Sequence, residues 1–339
     1  MLRQQDVGHR IVVRRIVGIR EGRPLFSDAL GELVELNETH ITLATDQGRV
    51  EVPRNEVHRA KRVPPARRPT AGAVIALELA ADEAWPAPVR GRLGDWLLRS
   101  AAGWTGRANT ALPIGDPDRP LSAAVDAVER WYADQGQPAM VNTPLPLAAP
   151  VGAELDARGW GTRPPTLVQT VAISRLRTEL PAPAPGQADL PTPEPGRNGS
   201  APDPAGVELA TAPSAEWLAI AAGRKGGLPD AARHVLTAVD QLRFAHLYVD
   251  GTLVAVGRGT VTGQGRWLGL SLVEVLPGFR GRGLARQVIR ALADWAADSG
   301  ATDAFLQVEQ RNTPAVTLYR SLGFTTHHTY LTRVAPPEG

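Results

Sequence analysis

The sequence predicts an α/β (α+β) chain: a small β-barrel followed by two tandem mixed-sheet domains. Three observations predict it. The first 65 residues carry short alternating apolar runs, and a proline- and glycine-rich break spans 178–206. A strand, glycine-arginine loop, helix, strand, helix order runs from Ser271 to Phe324 and echoes an earlier stretch at constant offset. With 339 residues, 43% of them hydrophobic, the chain can bury two or three cores.

In residues 1–65 the apolar runs are Ile11-Val12-Val13, Leu33–Leu36, Ile41-Thr42-Leu43 and Val50-Glu51-Val52, with Asp46-Gln47-Gly48 as a turn signal. That pattern predicts five short strands and resembles an SH3-like barrel, a type of docking module. Residues 1–70 hold 13 basic and 9 acidic side chains, with the excess at Arg59, Lys61, Arg62, Arg67 and Arg68. No aromatic residues interleave with this charge, so it reads as a solvated connection rather than a nucleic-acid surface.

The second domain is expected at 72–177. Its predicted elements are a strand at Val74–Leu79, a helix at Arg92–Ala102, a strand at Ala108–Leu112, a helix at Leu121–Gln135 and a strand at Leu167–Ile173. Between 179 and 206 stand eight prolines and four glycines with almost no large apolar side chain, the composition of an extended, disordered linker. The third domain is expected at 207–334. A gapless shift of 164 residues lays the second domain on the third: Leu112-Pro113 falls on Leu276-Pro277, Trp131 on Trp295, Gly136 on Gly300, Pro150 on Pro314 and Gly159 on Gly323.

Function classes narrow by exclusion. Zero cysteines rule out disulfides, thiolate metal sites and a cysteine nucleophile, and no metal site is predicted. No apolar run reaches the roughly eighteen residues of a membrane span, and the polar start MLRQQDVGHR is no signal peptide, so a cytoplasmic location is expected.

The chemistry concentrates in Arg280-Gly281-Arg282-Gly283-Leu284-Ala285, between a strand ending at Leu276 and a helix running to Ser299. Glycines let backbone amides crowd an anion, the helix N-terminus adds its positive dipole end, and Arg280, Arg282 and Arg286 add charge, so pyrophosphate is the natural ligand. No Gly-Lys-Ser/Thr follows, which excludes a Walker loop, and Arg286 stands where a dinucleotide fingerprint needs its third glycine.

Thirty residues on come Asn312, Ala315, Leu318-Tyr319 and Gly323-Phe324. With R-G-R-G-L-A before them, these residues resemble the GNAT superfamily of acyl-CoA-dependent N-acetyltransferases over about 125 residues. Tandem domains of this kind also occur in mycothiol synthase, to which the C-terminal half is similar.

The resemblance implies acetyl-CoA as co-substrate and an amine of a small molecule or protein as acceptor. It implies that Val273, Glu274 and Val275 pair with the pantetheine arm, the Val275 amide polarising the thioester carbonyl. Arg280, Gly281, Arg282, Gly283, Leu284, Ala285 and Arg286 would hold the pyrophosphate, Asn312 would orient the cofactor, and Tyr319 would protonate the departing thiolate. Read without the resemblance, Tyr319 is part of an apolar helix face and Asn312 a helix cap.

The position that carries a glutamate base in some relatives is Gln307 here, which leaves Glu309 first and Glu274 second for that role. The adjacent His327 and His328 are expected on opposite strand faces and receive no role. In the second domain the corresponding loop is Asp116-Pro117-Asp118-Arg119, and Ala148, Leu145 and Leu155 stand for Asn312, Glu309 and Tyr319, so that copy reads as non-catalytic and as one wall of the substrate cleft.

The acceptor pocket is expected from about Trp217–Leu242, with Lys225-Gly226-Gly227 as a mobile connection. A non-enzymatic acyl-CoA sensor is the alternative to an acetyltransferase, and a nucleic-acid-associated acetyltransferase a weaker third.

Overall fold

The computed structural model describes residues 2–20, 23–45, 48–63, 69–180, 206–223 and 228–337. Residues 181–205 of the predicted linker, Lys225-Gly226-Gly227, Arg67 and Arg68 lie outside the described residues, and the linker's expected start at 178 is corrected, since Thr178 and Glu179 end a helix. The chain forms two compact units, Met1–Arg68 and Pro69–Gly339.

The first unit is one antiparallel sheet of β1 (Arg10–Arg20), β2 (Arg23–Leu36), β3 (His40–Thr45), β4 (Gly48–Pro53) and β5 (Val57–Arg62), in the order β4-β3-β2-β1-β5. Ile11, Val13, Leu33, Ile41, Leu43 and Val52 form its core, as the alternation predicts. The expected barrel is not closed by hydrogen bonds among the described residues, because β4 and β5 are the two edges of an open path. The long β2 pairs with β1 along Arg23–Glu32 and with β3 along Glu32–Leu36, and a register shift at Leu33/Glu35 adds twist.

The second unit runs α1 (Ala71–Ala84), β6 (Val89–Leu93), β7 (Trp96–Ser100), α2 (Leu121–Asp134), β8 (Met140–Leu145), α3 (Ala149–Ala157), β9 (Gly161–Thr162), β10 (Thr166–Ala172), α4 (Ile173–Glu179), β11 (Val207–Ala210), α5 (Ala215–Gly223), α6 (Asp230–Thr237), β12 (Leu242–Val249), β13 (Thr252–Thr262), β14 (Trp267–Val275), α7 (Leu284–Asp298), β15 (Asp303–Glu309), α8 (Thr313–Ser321) and β16 (Thr325–Val334). Nine strands make one sheet, ordered β11-β12-β13-β14-β15-β10-β16-β8 with β9 also on β16. Strand β10 lies between β15 and β16, so the two halves of this unit share a single sheet.

Three sequence expectations in this unit are overturned. Val74–Leu79 is not a strand but part of α1, which Thr70 caps by accepting from the Ala73 amide and which buries Val74, Leu77, Ala81 and Ala84 at helical spacing. A short apolar run alone does not separate a strand from a helix segment. Arg92–Ala102 is not a helix but most of the β6–β7 hairpin, turned at Gly94-Asp95 between the paired Leu93 and Trp96. Gly94 adopts φ 55°, the left-handed conformation that such two-residue turns require. Of the predicted strand Ala108–Leu112, a 3-10 turn covers Arg107–Asn109 and only isolated bridges at Ala111 and Leu112 remain.

The offset of 164 survives element by element from α2 to β9: shifted by it, α3 becomes 313–321, the span of α8, and β8 becomes 304–309, within β15. Upstream of Leu112 it fails, since α1 and the hairpin have no counterpart at that shift.

Helix α7 buries Leu284, Val288, Ile289, Ala291, Leu292, Ala293 and Ala296 against the sheet. It seats closely because β13 presents glycines there: a Cβ on Gly257 would meet Val288 at 2.5 Å and one on Gly259 would meet Leu292 at 2.9 Å.

Candidate active site

The site begins where two strands part. Parallel pairing of β14 with β15 runs from Trp267↔Asp303 to Leu270↔Leu306 and then stops. On its other side β14 keeps its pairing with β13 to Val275, through a register shift in which Leu272 adopts φ 53°. The β15-facing edge beyond Leu270 is therefore a strand edge without a strand. The Leu276 amide donates to Val254 O at 2.9 Å, so by strand alternation the Val275 N–H points away from β13, toward the open side.

Beside this parting lies a cleft of about 990 Å³. Val273, Glu309, Asn312 and Tyr319 all line it, as does Gln307. Tyr319 is half-buried with its ring edge-on to Phe324, centroids 5.8 Å apart. Asn312 caps α8, its Oδ1 accepting from the Ala315 amide at 3.4 Å. Glu309 is exposed at the end of β15, where Arg311 donates to its carboxylate at 2.6 Å. Glu274 lies opposite Val256 in the β13–β14 ladder and is not among the cleft's lining residues.

The glycine-arginine loop stands outside that lining. Gly281 and Gly283 take φ 77° and 78°, and the space where a Cβ would project from either is open to 4 Å. Leu284, Ala285 and Arg286 form the first turn of α7; the Leu284 and Ala285 amides have no intrahelical acceptor, while the Arg286 amide donates to Gly283 O at 2.9 Å. Arg280 donates to Val275 O at 3.1 Å, Arg282 lies 5.2 Å over the Phe279 ring, and Arg286 donates to Ser321 Oγ at 2.7 Å. The loop thus offers amides and charge outward while its arginines anchor it to β14 and α8.

At the equivalent point in the first half, the carboxylates occupy their own backbone. Asp95 accepts from the Asp116 amide at 2.9 Å, Asp116 accepts from the Asp118 amide at 2.8 Å, and Pro117 has no N–H. Ala148 gives α3 no side-chain cap, and Leu155 is fully buried.

The chain matches the family described as "Probable histone acetyltransferase Rv0428c C-terminal" over residues 71–332. It belongs to that acetyltransferase family. It is 31% identical to the "Probable histone acetyltransferase Rv0428c" of Mycobacterium tuberculosis, covering 97% of this chain and 95% of that one. It is 27% identical to the "Uncharacterized N-acetyltransferase YobR" of Bacillus subtilis, covering 74% and 93%. In fold it is similar to a GCN5-related N-acetyltransferase from Kribbella flavida, with TM-score 0.53 and 16% identity over 81% of this chain and 98% of that one. The chain is thus an enzyme of the GNAT type, a class that uses acetyl-CoA.

The far wall of the cleft in this Rv0428c-family member comes from the first half, expected to form one wall of the substrate cleft, through residues that had no individual role in that expectation. Trp85, Thr105, Gly106, Arg107, Arg163 and Thr166 line it, all from the first half, whereas none of the described residues of Trp217–Leu242 does. The acceptor-pocket expectation is corrected accordingly: α6 and the described part of α5 pack into a core with Phe244 and Val256 instead.

Asn109 shapes this wall. Fully buried, it accepts from the Ala101 and Gly103 amides and donates to Trp104 O and Thr105 O, at distances between 2.7 and 2.9 Å. The loop it gathers holds Ala102 at φ 49° and Thr105 at φ 63°. Trp104 stacks on Trp85 at 5.6 Å, and Trp85 Nε1 donates to Thr105 Oγ1 at 3.1 Å.

Behind Trp85 sits Arg258, 1% exposed, donating to Ala84 O at the end of α1 and to Leu236 O and Val235 O at the end of α6. A cation between two helix C-termini is favourable to both dipoles. Burial, and then the charge of Arg107, push its pKa down to about 9.

The two histidines also depart from expectation. Residue 327 is the extra residue of a bulge in β16, since Val168 pairs with His328 and Gln169 with Thr326. A bulge cancels the alternation, and the two rings meet with Nδ1 atoms 2.8 Å apart. His328 is buried against Glu78 of α1 at 2.7 Å, a structural pair on the face that packs the helix.

Proposed function

We propose that this protein transfers the acetyl group of acetyl-CoA to a primary amine. The parting of β14 and β15 beside a cleft that holds Tyr319, Asn312 and Glu309 carries this reading. Val273, Glu274 and Val275 would accept the pantetheine arm as a further strand, and Gly281 through Arg286 would cradle the pyrophosphate with amides at the start of α7.

The amine nitrogen attacks the thioester carbonyl carbon, and its proton passes to Glu309 or to a water that Glu309 orients. The Val275 N–H, directed to the open side, stabilises the resulting oxyanion. As the C–S bond breaks, Tyr319 gives its phenolic proton to the thiolate, releasing CoA and the amide. Glu309 is preferred over Glu274 as base because it lines the cleft.

The first half reads as a degenerate copy of the same domain, its loop closed by Asp116 and unfit for pyrophosphate. The N-terminal sheet reads as an SH3-like docking module, supported by its strand count and compact core.

Tyr319→Phe tests the reading through CoA release under saturating acetyl-CoA. It should lower kcat about 10²-fold or more, in the range of a lost general acid, with acetyl-CoA affinity preserved. Unchanged turnover would remove Tyr319 from the chemistry, whereas acetyl-CoA binding with no CoA release by the unaltered protein would favour an acyl-CoA sensor.

A further inference from the structure

The acceptor side of the cleft is cationic. Its charged lining residues are Arg107, Arg163, Arg311 and Glu309, and the single carboxylate is already paired with Arg311. Arg107 and Arg163 have no carboxylate partner among the described residues. Arg107 Nε is buried without a hydrogen-bond partner, although its guanidinium lies 5.3 Å over the Trp85 ring. Arg258 approaches the same ring at 5.3 Å, so two guanidinium groups share one indole with no anion between them. The Arg163 guanidinium reaches the same loop, its Nη1 3.3 Å from where a Cβ on Gly106 would stand.

This wall is also held in place before any ligand arrives. Asn109 spends its four hydrogen-bonding positions on the loop that bears Arg107, and the Arg163 amide donates to Thr332 O at 2.9 Å. The Arg107 guanidinium over the Trp85 indole, with the exposed Arg163 guanidinium beside the same loop, suits a planar anion, which a guanidinium can grip through paired N–H donors. A lysine-rich peptide tail would meet like charge there, and like-charge juxtaposition disfavours a partner.

Resting on the acetyl-transfer reading above, we propose that the acceptor is a small amine that bears a carboxylate, held by Arg107 and Arg163 so that its amino group faces the parting of β14 and β15. The acceptor is then an amino-acid-like molecule and not a basic protein tail.

The test uses the full chain, acetyl-CoA and amines paired with and without a carboxylate: lysine against 1,5-diaminopentane, and β-alanine against ethylamine. Phosphoethanolamine and a lysine-rich peptide are further arms. CoA release is read with a thiol reagent, to which a chain with no cysteines is silent. Calorimetry in saturating CoA reads binding of the same probes.

At least one carboxylate-bearing amine should bind, and turn over, about tenfold or more better than its counterpart, as expected for one charge-assisted contact. Arg107→Gln and the exposed Arg163→Gln should each raise its KM about tenfold and leave the KM for acetyl-CoA unchanged.

Preference for the diamine, the peptide or the phosphorylated amine overturns the proposal. So does absence of binding by every carboxylate-bearing probe, or a raised KM for acetyl-CoA in the arginine variants, which would give these side chains to the coenzyme. Carboxylate-selective binding without CoA release keeps the anion site and removes acetyl transfer. CoA release without carboxylate preference does the reverse.

Discussion

Asn109→Ala probes how the cleft wall is built. The side chain is fully buried and makes four hydrogen bonds, two accepted and two donated. Its removal leaves the Ala101 N–H and Trp104 O without partners in a buried setting, at about 1–3 kcal/mol each. The Gly103 N–H and Thr105 O are better placed to find water, since Gly103 is exposed and Thr105 half-buried. Relaxation of Ala102 and Thr105 from their positive φ returns about 1 kcal/mol each. The net expectation is a loss of about 2 kcal/mol.

All eight tryptophans lie beyond residue 84, so tryptophan fluorescence in a urea titration reads the second unit alone. With m at about 3 kcal/mol/M, the midpoint should fall by about 0.7 M with m unchanged. Below that transition, KM for the acceptor should rise more than KM for acetyl-CoA, because the loop carries Arg107 and not the pyrophosphate cradle. A midpoint shift under about 0.3 M, or equal effects on the two KM values, would show that Asn109 does not organise this wall.

Gly283→Ala places a side chain at φ 78° in open space, so the fold should lose only about 1 kcal/mol while KM for acetyl-CoA rises tenfold or more. Gly136→Ala, at φ 63° and equally open, is the control: similar stability loss with unchanged KM for acetyl-CoA. Burial lowers the pKa of both His246 and His327. Below the ordinary imidazole value of about 6.5 the unfolded chain therefore binds more protons than the folded one, and stability falls as pH drops from there. The urea midpoint should decline between about pH 6.5 and 5, and His246→Asn should flatten part of that slope; a flat wild-type profile would contradict it.

What was legible in the sequence was local. The loop at 280–286, the helix after it and the cap at Asn312 each declare themselves within a few residues, because left-handed glycines, a helical apolar stripe and an Asn-x-x capping geometry are short-range devices. The helix at α2 and the strand at β10 were readable for the same reason. The cleft wall was not, because it is built by contacts distant in sequence: Arg258 reaches Ala84 O from 174 residues away, and Arg107 gains its setting from Asn109, Trp85 and Arg258 together. Nothing periodic marks residues 101–109, whose shape comes from one amide side chain. The hairpin at Gly94-Asp95 was hidden by an apolar content that suits helix and strand alike, and the histidine pair by a bulge that only strand register reveals.

The same long-range contacts explain why a half without a pyrophosphate loop remains part of the enzyme. It supplies β10, which fills the place between β15 and β16, and α1, whose buried Glu78 meets His328 and whose last carbonyls take the Arg258 guanidinium. Without that half β15 and β16 would face each other across a missing strand, and Arg258 would keep only the α6 carbonyls for a buried charge, a costly state. With carboxylates in its loop, this half still serves in two ways. One is completion of the sheet that carries Glu309 and the parting of β14 and β15. The other is the Trp85–Arg107–Arg163 wall, which lines the cleft from this half and against which the acceptor would be selected on the proposal above.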